Sequence, residues 1–414
     1  MGNHFEMVDK LYITITPFFP SKDKLFYSYV YDQVQAIERN SDYKVIVFRP
    51  KSPWEKFEDY QYEGVKVYYF NAFEMPSLIL NGIFNGVNSR FFIERVKQLG
   101  IDVSQIVVAH GHTSQFAAYA LALKKINSRI KAVVQHHDCD PYTIRNGKWA
   151  QKRWNAIYRA QKSIELFEKV DLHLCISDFV KDSLMCFPNP PKNLYYDSYR
   201  KALTSVEGVR SPIIKDTYTL YNGVDCNKFF PKKTALVGGE CLKEKFIIGC
   251  VANFVELKDQ MTLLRAIKML RDNGDTSFKV VFVGSGVNLS ECQRFIEDND
   301  LSGFVEIKSE IHHSELNKFY NQLDLFVLPS FFEGFGCVCT EAAACGVPFM
   351  ICKHQGAAEY IVDEDKWLFE PHDYNMLAKL ISNYKVVRYK QVLKYSYNIN
   401  DLIEKYLIYL NQIV

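Results

Sequence analysis

The chain has 414 residues, 50 Lys+Arg against 48 Asp+Glu for a formal net charge of +2, 48% hydrophobic residues and 24% charged residues. That length predicts two or three domains, the composition excludes wholesale disorder, and the balanced charge offers no sign of a nucleic-acid partner. No stretch approaches the roughly 20 apolar residues of a membrane-crossing helix, and Met1-Gly2-Asn3-His4-Phe5-Glu6 lacks the basic start and apolar core of an export signal, so a cytoplasmic protein is expected.

Short runs rich in Val, Ile and Phe alternate along the chain with segments of helical period, the pattern of parallel strands joined by crossover helices, so the fold class is α/β. The predicted strands of the first part are Leu11 to Thr16, Lys44 to Phe48, Val65 to Tyr69, Gln105 to Ala109, Ala132 to Gln135 and Leu172 to Ile176. Those of the second are Phe246 to Val251, Lys279 to Val283, Val305 to Lys308, Leu325 to Leu328 and Pro348 to Ile351. Between the two sets, Ser211 to Lys245 contains Pro212, an Asn222-Gly223 pair, Pro231 and Gly238-Gly239 and reads as an inter-domain connection. The expected division is 1–215 and 216–394, with 395–414 crossing back onto the first domain.

Charge is unevenly shared: residues 1–220 carry +6 and residues 221–414 carry −4. Much of the basic excess lies in 121–162, where ten Lys or Arg meet only Asp138 and Asp140, with Trp149, Trp154 and Tyr158 interleaved. Two readings stand: a peripheral contact with the inner face of an anionic membrane, or a solvated helix face whose tryptophans point into the core. Eleven cysteines with no C-x-x-C pair predict reduced thiols rather than a disulfide framework or zinc site.

The most informative stretch is Leu328-Pro329-Ser330-Phe331-Phe332-Glu333-Gly334-Phe335-Gly336-Cys337, followed by an Ala-rich helix that ends at Cys345-Gly346. Strand, glycine turn and helix N-terminus together favour an anion, because unpaired backbone N–H groups and the positive end of the helix dipole face the loop. Glu341 lies one turn inside that helix and leans toward its N-terminus. A carboxylate within about 4 Å of a phosphate meets repulsion of about 4 kcal/mol at an effective dielectric near 20, so Glu341 and Glu333 are expected on hydroxyls. Two acids flanking a phosphate turn fit a sugar nucleotide.

The string PSFFEGFGCVCTEAAACGVP resembles the E-x7-E signature of the retaining nucleotide-sugar glycosyltransferases of family 4, whose GT-B fold has two Rossmann-like domains facing across a cleft. Further pieces match in order: HGH at His110 to His112, HD at His137-Asp138, CISDFVKDSL at Cys175 to Leu184, YNGVDCNKFFP at Tyr221 to Pro231, GCVANFVELKDQMTLLRAI at Gly249 to Ile267, VFVGSG at Val281 to Gly286 and QGAAEYI at Gln355 to Ile361. The resemblance implies that Lys258 contacts the donor diphosphate, Glu333 the transferred sugar and Glu341 the ribose. It likewise implies that Gly334, Phe335, Gly336 and Cys337 approach the diphosphate and sugar, with Asn253 and Gly284 also on the donor side. It places His112 between donor sugar and acceptor, making His112, Lys258 and Glu333 the expected catalytic set, and puts His137 and Asp138 on the acceptor side. Asn222 to Asp225 are read as mainly structural, a tight turn with a cap.

Three departures from the family pattern stand out. Asn253 occupies the position of a family Arg, Pro17 to Lys24 contains no glycine where many members have a glycine-rich loop, and Ser309-Glu310 replace a glycine beside the base. Asp138-Cys139-Asp140 and Asp363-Glu364-Asp365 have a D-x-D form, but E-x7-E enzymes need no such motif, and no metal or other cofactor is expected. Gly284-Ser285-Gly286-Val287-Asn288-Leu289 has Leu289 where a dinucleotide fingerprint needs Gly or Ala.

The resulting expectation is a retaining, metal-independent transfer of a sugar from a nucleotide-diphosphate donor to a hydroxyl of a glycan, lipid-linked or small-molecule acceptor. A nucleotide-sugar 2-epimerase on the same fold is the alternative. A hydrolase using Glu333 and Glu341 would need carboxyls about 5–5.5 Å apart, and a non-enzymatic ligand-binding protein is the remaining rival.

Overall fold

The computed structural model describes residues 10–21, 28–76, 79–139, 144–145, 148–149, 152–185, 209–232 and 245–414. The chain divides into two compact units, Met1–Tyr221 with Ile399–Val414, and Asn222–Asn398.

The first unit is built on an eight-stranded sheet. Its strands are β1 (Lys10–Ile15), β2 (Tyr43–Lys51), β3 (Tyr60–Tyr62), β4 (Val65–Asn71), β5 (Ile106–His112), β6 (Lys131–His136), β9 (Leu172–Cys175) and β10 (Thr217–Thr219), a small hairpin of β7 (Ile144–Arg145) and β8 (Lys148–Trp149) lying apart. The spatial order is β10-β9-β6-β5-β1-β2-β4-β3, and every pairing is parallel except β3 with β4. Strands such as Leu-Tyr-Ile-Thr-Ile in β1 are buried along their whole length, as a sheet covered by helices on both faces requires. Phe92 on the helix Asn85–Gln98 and Tyr119 and Leu123 on the helix Ala117–Ile126 pack with Ile13, Ile15, Phe48 and Phe70 to form the core on one face.

The helix Ile399–Ile413 completes this unit. Ile399, Leu402, Ile403, Tyr406, Leu407 and Leu410 recur at three- and four-residue spacing and are buried, one apolar stripe laid against the sheet unit. The Tyr406 hydroxyl lies 3.0 Å from that of Tyr12 in β1, and the Tyr409 hydroxyl donates to Asp216 at 2.6 Å.

The second unit has six parallel strands: β11 (Phe246–Val251), β12 (Phe278–Val283), β13 (Val305–Lys308), β14 (Leu325–Leu328), β15 (Phe349–Cys352) and β16 (Leu368–Phe369), ordered β13-β12-β11-β14-β15-β16. In each sheet the chain leaves its first strand toward one side and later resumes on the other. The switch falls between β1 and β5 in the first unit and between β11 and β14 in the second, and at such a point the loops diverge and leave a crevice at the strands' carboxyl ends.

Several sequence expectations need correction. Thr217–Thr219, inside the predicted connection, is an edge strand paired with β9; the nearby prolines and glycines obscured a run of only three residues rich in β-formers. His112 is the last residue of β5 rather than part of the loop after it, because Ala109-His110-Gly111-His112 continues the ladder with β6. Trp154 opens the helix Arg153–Phe167 and is 53% exposed, so the solvated-face reading fails in placing this tryptophan in the core. Gly238-Gly239, Asp140 and residues 22–24 lie outside the described residues.

Candidate functional site

The β11/β14 switch point brings two sequence-predicted residues together. After Val251 the chain passes through Ala252 and the exposed Asn253 into a single 3-10 turn, Glu256–Lys258. Asp259, at φ +42°, then caps the helix Gln260–Asp272 by accepting from the Thr262 N–H. Buried Gln260 donates to the carbonyls of Ala252 at 3.3 Å and Asn253 at 2.9 Å, bracing the loop. From the other strand, Phe331 donates its N–H to the Leu257 carbonyl at 3.1 Å. That backbone bond joins the two loops, and beside it the Lys258 ammonium pairs with Glu333 Oε2, the two side chains 26% and 16% exposed.

Gly336, at φ +93° in left-handed backbone, turns the loop into the helix Cys337–Ala344. Phe335 is buried and its carbonyl accepts from Ala357 at 2.7 Å, so Gly334 and Phe335 are held from behind by the turn Gly356–Tyr360. The Cys337 thiol is pushed up to about 12 by burial and stays protonated, which removes it as a nucleophile. Glu341 accepts a hydrogen bond from the Tyr320 hydroxyl at 2.8 Å. Lys258, Glu333, Gly334, Phe335, Gly336, Cys337 and Glu341 thus share one lip of the second unit: one cation, one helix N-terminus and two separately anchored carboxylates. Gly284 directly follows β12 and faces the Ala252 carbonyl so closely that a Cβ would come within 2.2 Å of it, which places it as a brace behind the β11 loop.

At the β1/β5 switch point the first unit carries stacked imidazoles. Tyr12 Oη meets His110 Nδ1 at 2.8 Å, the His110 and His112 rings stack at 4.3 Å between centroids, and His112 Nδ1 meets His137 Nε2 at 2.9 Å. Burial lowers His110 to about 3 and His137 to about 4, and holds His112 well below its usual value. Each is neutral at pH 7, so His112 offers a hydrogen bond rather than a positive charge. In a neutral pair one ring nitrogen donates and the other accepts, which ties the tautomer of His112 to that of His137. Asp138 follows as an exposed residue. Among the described residues, no group of three His, Cys, Asp or Glu converges as a metal site.

Sequence reasoning missed Asn222, Tyr320, Gln260 and Gly356. Asn222, read as a turn residue, places its side-chain amide 3.5 Å from Cys337 Sγ at the helix start. Tyr320 sits in an ordinary amphipathic helix, and nothing local to it announces a carboxylate 21 residues away.

Residues 28–195 match the family model described as Glycosyltransferase Family 4, and residues 239–392 match that described as Glycosyl transferases group 1. The chain belongs to the family 4, group 1 glycosyltransferases. His112 and His137 of this glycosyltransferase fall in the first match, and Lys258, Glu333 and Glu341 in the second. It is 28% identical over 166 residues to the capsular polysaccharide biosynthesis glycosyltransferase CapM of Staphylococcus aureus, covering 39% of this chain and 42% of that protein. It is 31% identical over 155 residues to the GDP-mannose-dependent alpha-(1-6)-phosphatidylinositol monomannoside mannosyltransferase of Mycolicibacterium smegmatis, covering 34% and 39%. The chain therefore aligns with about two fifths of the length of these curated relatives. Sucrose-phosphate synthase from Thermosynechococcus elongatus has the same GT-B fold, with a TM-score of 0.64 at 16% identity over 96% of this chain and 94% of that one.

Proposed function

We propose that this glycosyltransferase moves a sugar from a nucleoside-diphosphate donor to a hydroxyl of a glycan, lipid-linked or small-molecule acceptor, with retention at the anomeric carbon and without a metal. The observation that carries this is the apposition of Lys258 and Glu333 beside the N-terminus of the helix Cys337–Ala344. A diphosphate drawn to that terminus takes Lys258 as its counterion, and the sugar hydroxyls replace Lys258 as partners of Glu333. As the bond from the anomeric carbon to the diphosphate oxygen breaks, negative charge grows on that oxygen and Lys258 and the helix terminus stabilise it. The acceptor oxygen bonds to the same face of the carbon, and its proton passes to the departing diphosphate. Neutral His112, its tautomer tied to that of His137, would hydrogen-bond on the acceptor side, a side to which the family resemblance also assigns Asp138.

Glu333 is engaged by Lys258 and Glu341 by Tyr320, so the two carboxylates are held by different partners rather than as one acid–nucleophile pair. A peripheral membrane contact through 121–162 rests on its ten basic residues and the exposed Trp154. No helix among the described residues is long and apolar enough to cross a membrane.

The test is a thermal-shift series with UDP-, GDP- and ADP-sugars, since a donor that binds the native state raises the melting temperature, followed by incubation of the stabilising donor with candidate acceptors. A glycosylated acceptor supports transfer. Free sugar as the main product indicates hydrolysis, conversion of the donor with no acceptor indicates an epimerase, and no stabilisation by any nucleotide sugar refutes the donor site. Co-sedimentation with anionic but not neutral vesicles would support the membrane contact.

A further inference from the structure

Tyr320 is the last residue of the helix His313–Tyr320 and is fully buried, with Phe229, Phe319 and Phe326 around its ring at centroid distances of 6.0, 5.8 and 5.7 Å. Its hydroxyl donates to Glu341 Oε2 at 2.8 Å. The direction of that bond is fixed, because burial and then the charge of Glu341 raise the phenol far above its usual pKa and keep the proton on oxygen. The aromatic cage sets the ring, the ring sets the hydroxyl, and the hydroxyl sets one oxygen of a side chain that otherwise samples many rotamers. A carboxylate has about four lone-pair sites, and the bond from Tyr320 to one oxygen fixes the direction in which the carboxylate plane of Glu341 is presented.

We propose that Tyr320 is a positioning residue of the donor site, orienting Glu341 toward the ribose hydroxyls and thereby setting a preference for ribo- over 2′-deoxyribonucleoside diphosphates. This rests on the reading of Glu341 as the ribose contact. Pre-orientation matters because both ribose hydroxyls donate into one carboxylate, and a misplaced acceptor forfeits both bonds at once.

The experiment is calorimetric titration of the full chain with UDP, GDP and ADP, then of the tightest binder beside its 2′-deoxy counterpart. Tyr320→Phe, which removes one oxygen, is expected to weaken the ribonucleotide about tenfold and the deoxynucleotide by less than threefold, so that the selectivity ratio collapses. Glu341→Ala should collapse it equally, and adding Tyr320→Phe to Glu341→Ala should change it no further. Phe229→Leu, which loosens the cage and leaves both polar groups in place, is the second variant and should lower the ratio in the same direction. Equal weakening of both nucleotides, or an unchanged ratio in the variants, overturns the proposal and assigns Tyr320 to packing alone. Failure of all three nucleotides to bind the wild-type chain overturns the donor-site reading itself.

Discussion

Gly356→Ala tests how tightly the donor loop is backed. Gly356 opens the turn behind the loop, and a Cβ built on it would lie 2.2 Å from Phe335 Cα, 2.5 Å from the Phe335 oxygen and 2.7 Å from the Gly334 oxygen. Carbon atoms in contact sit about 3.5–4.0 Å apart, so the two segments must part by on the order of 1 Å, and since all three neighbours are backbone no rotamer change relieves the overlap. Overpacking of this kind costs about 1–3 kcal/mol, which at about 1.4 kcal/mol per factor of ten is roughly 5- to 150-fold in affinity if the displacement falls on Gly334 and Phe335. Calorimetry with the nucleoside diphosphate that best stabilises the wild-type chain measures the loss, and thermal melting measures the accompanying instability. Two glycines of the same unit serve as controls. Gly303→Ala meets nothing within 4 Å and should change neither quantity. Gly346, at φ +78° with only Pro231 side-chain atoms 3.6–3.7 Å from its Cβ, should lose about 1–2 kcal/mol of stability as alanine and keep its nucleotide affinity. A Gly356→Ala protein that binds nucleotide within twofold of wild type and melts normally would refute the reasoning.

Lys258→Met is expected to lower transfer by at least about a hundredfold by removing the counterion of the leaving diphosphate, while costing about 1 kcal/mol of stability because the ion pair is partly solvated; steady-state rates beside melting curves check both. The histidines His110, His112, His136, His137 and His173 are all depressed by burial, to about 3 for His110 and about 4 for His137 and His173. They take up protons on unfolding below about pH 6.5, so stability falls with pH from there toward the folded values, by about 1.4 kcal/mol per unit for each. A melting temperature flat between pH 7 and 5 contradicts this, and His173→Gln should reduce the slope. Tyr406→Ala removes a fully buried ring and the partner of Tyr12 and should destabilise the first unit by about 3–5 kcal/mol, read as an earlier denaturant midpoint.

The strands β11 and β14 were legible as largely buried apolar runs and the half-buried β13 by its Val-Glu-Ile-Lys alternation, and all three match their predicted limits, Phe246–Val251, Leu325–Leu328 and Val305–Lys308. The two- and three-residue edge strands β3, β10 and β16 carry too few residues for a period to register. Lys258, Glu333 and Glu341 were legible because their order and spacing form a signature. The contacts that hold them were not, since Phe331 reaching Leu257, Tyr320 reaching Glu341 and Gly356 backing Phe335 each join segments that only the parallel sheet order brings side by side. His112 was found by motif, but its neutrality comes from the burial of the β5 end against neighbouring rings, which no local pattern encodes.

The helix Ile399–Ile413 belongs to the first unit, yet the ribosome makes it only after all of Asn222–Asn398. The second unit can therefore fold as soon as it emerges, whereas the first, although begun earlier, waits for Tyr406 to reach Tyr12 across 394 positions. Until then the apolar surface that this helix will cover is exposed to chaperones and to other nascent chains. Moving residues 399–413 ahead of β1 by circular permutation should reverse that order of events and raise the yield of native protein at high expression.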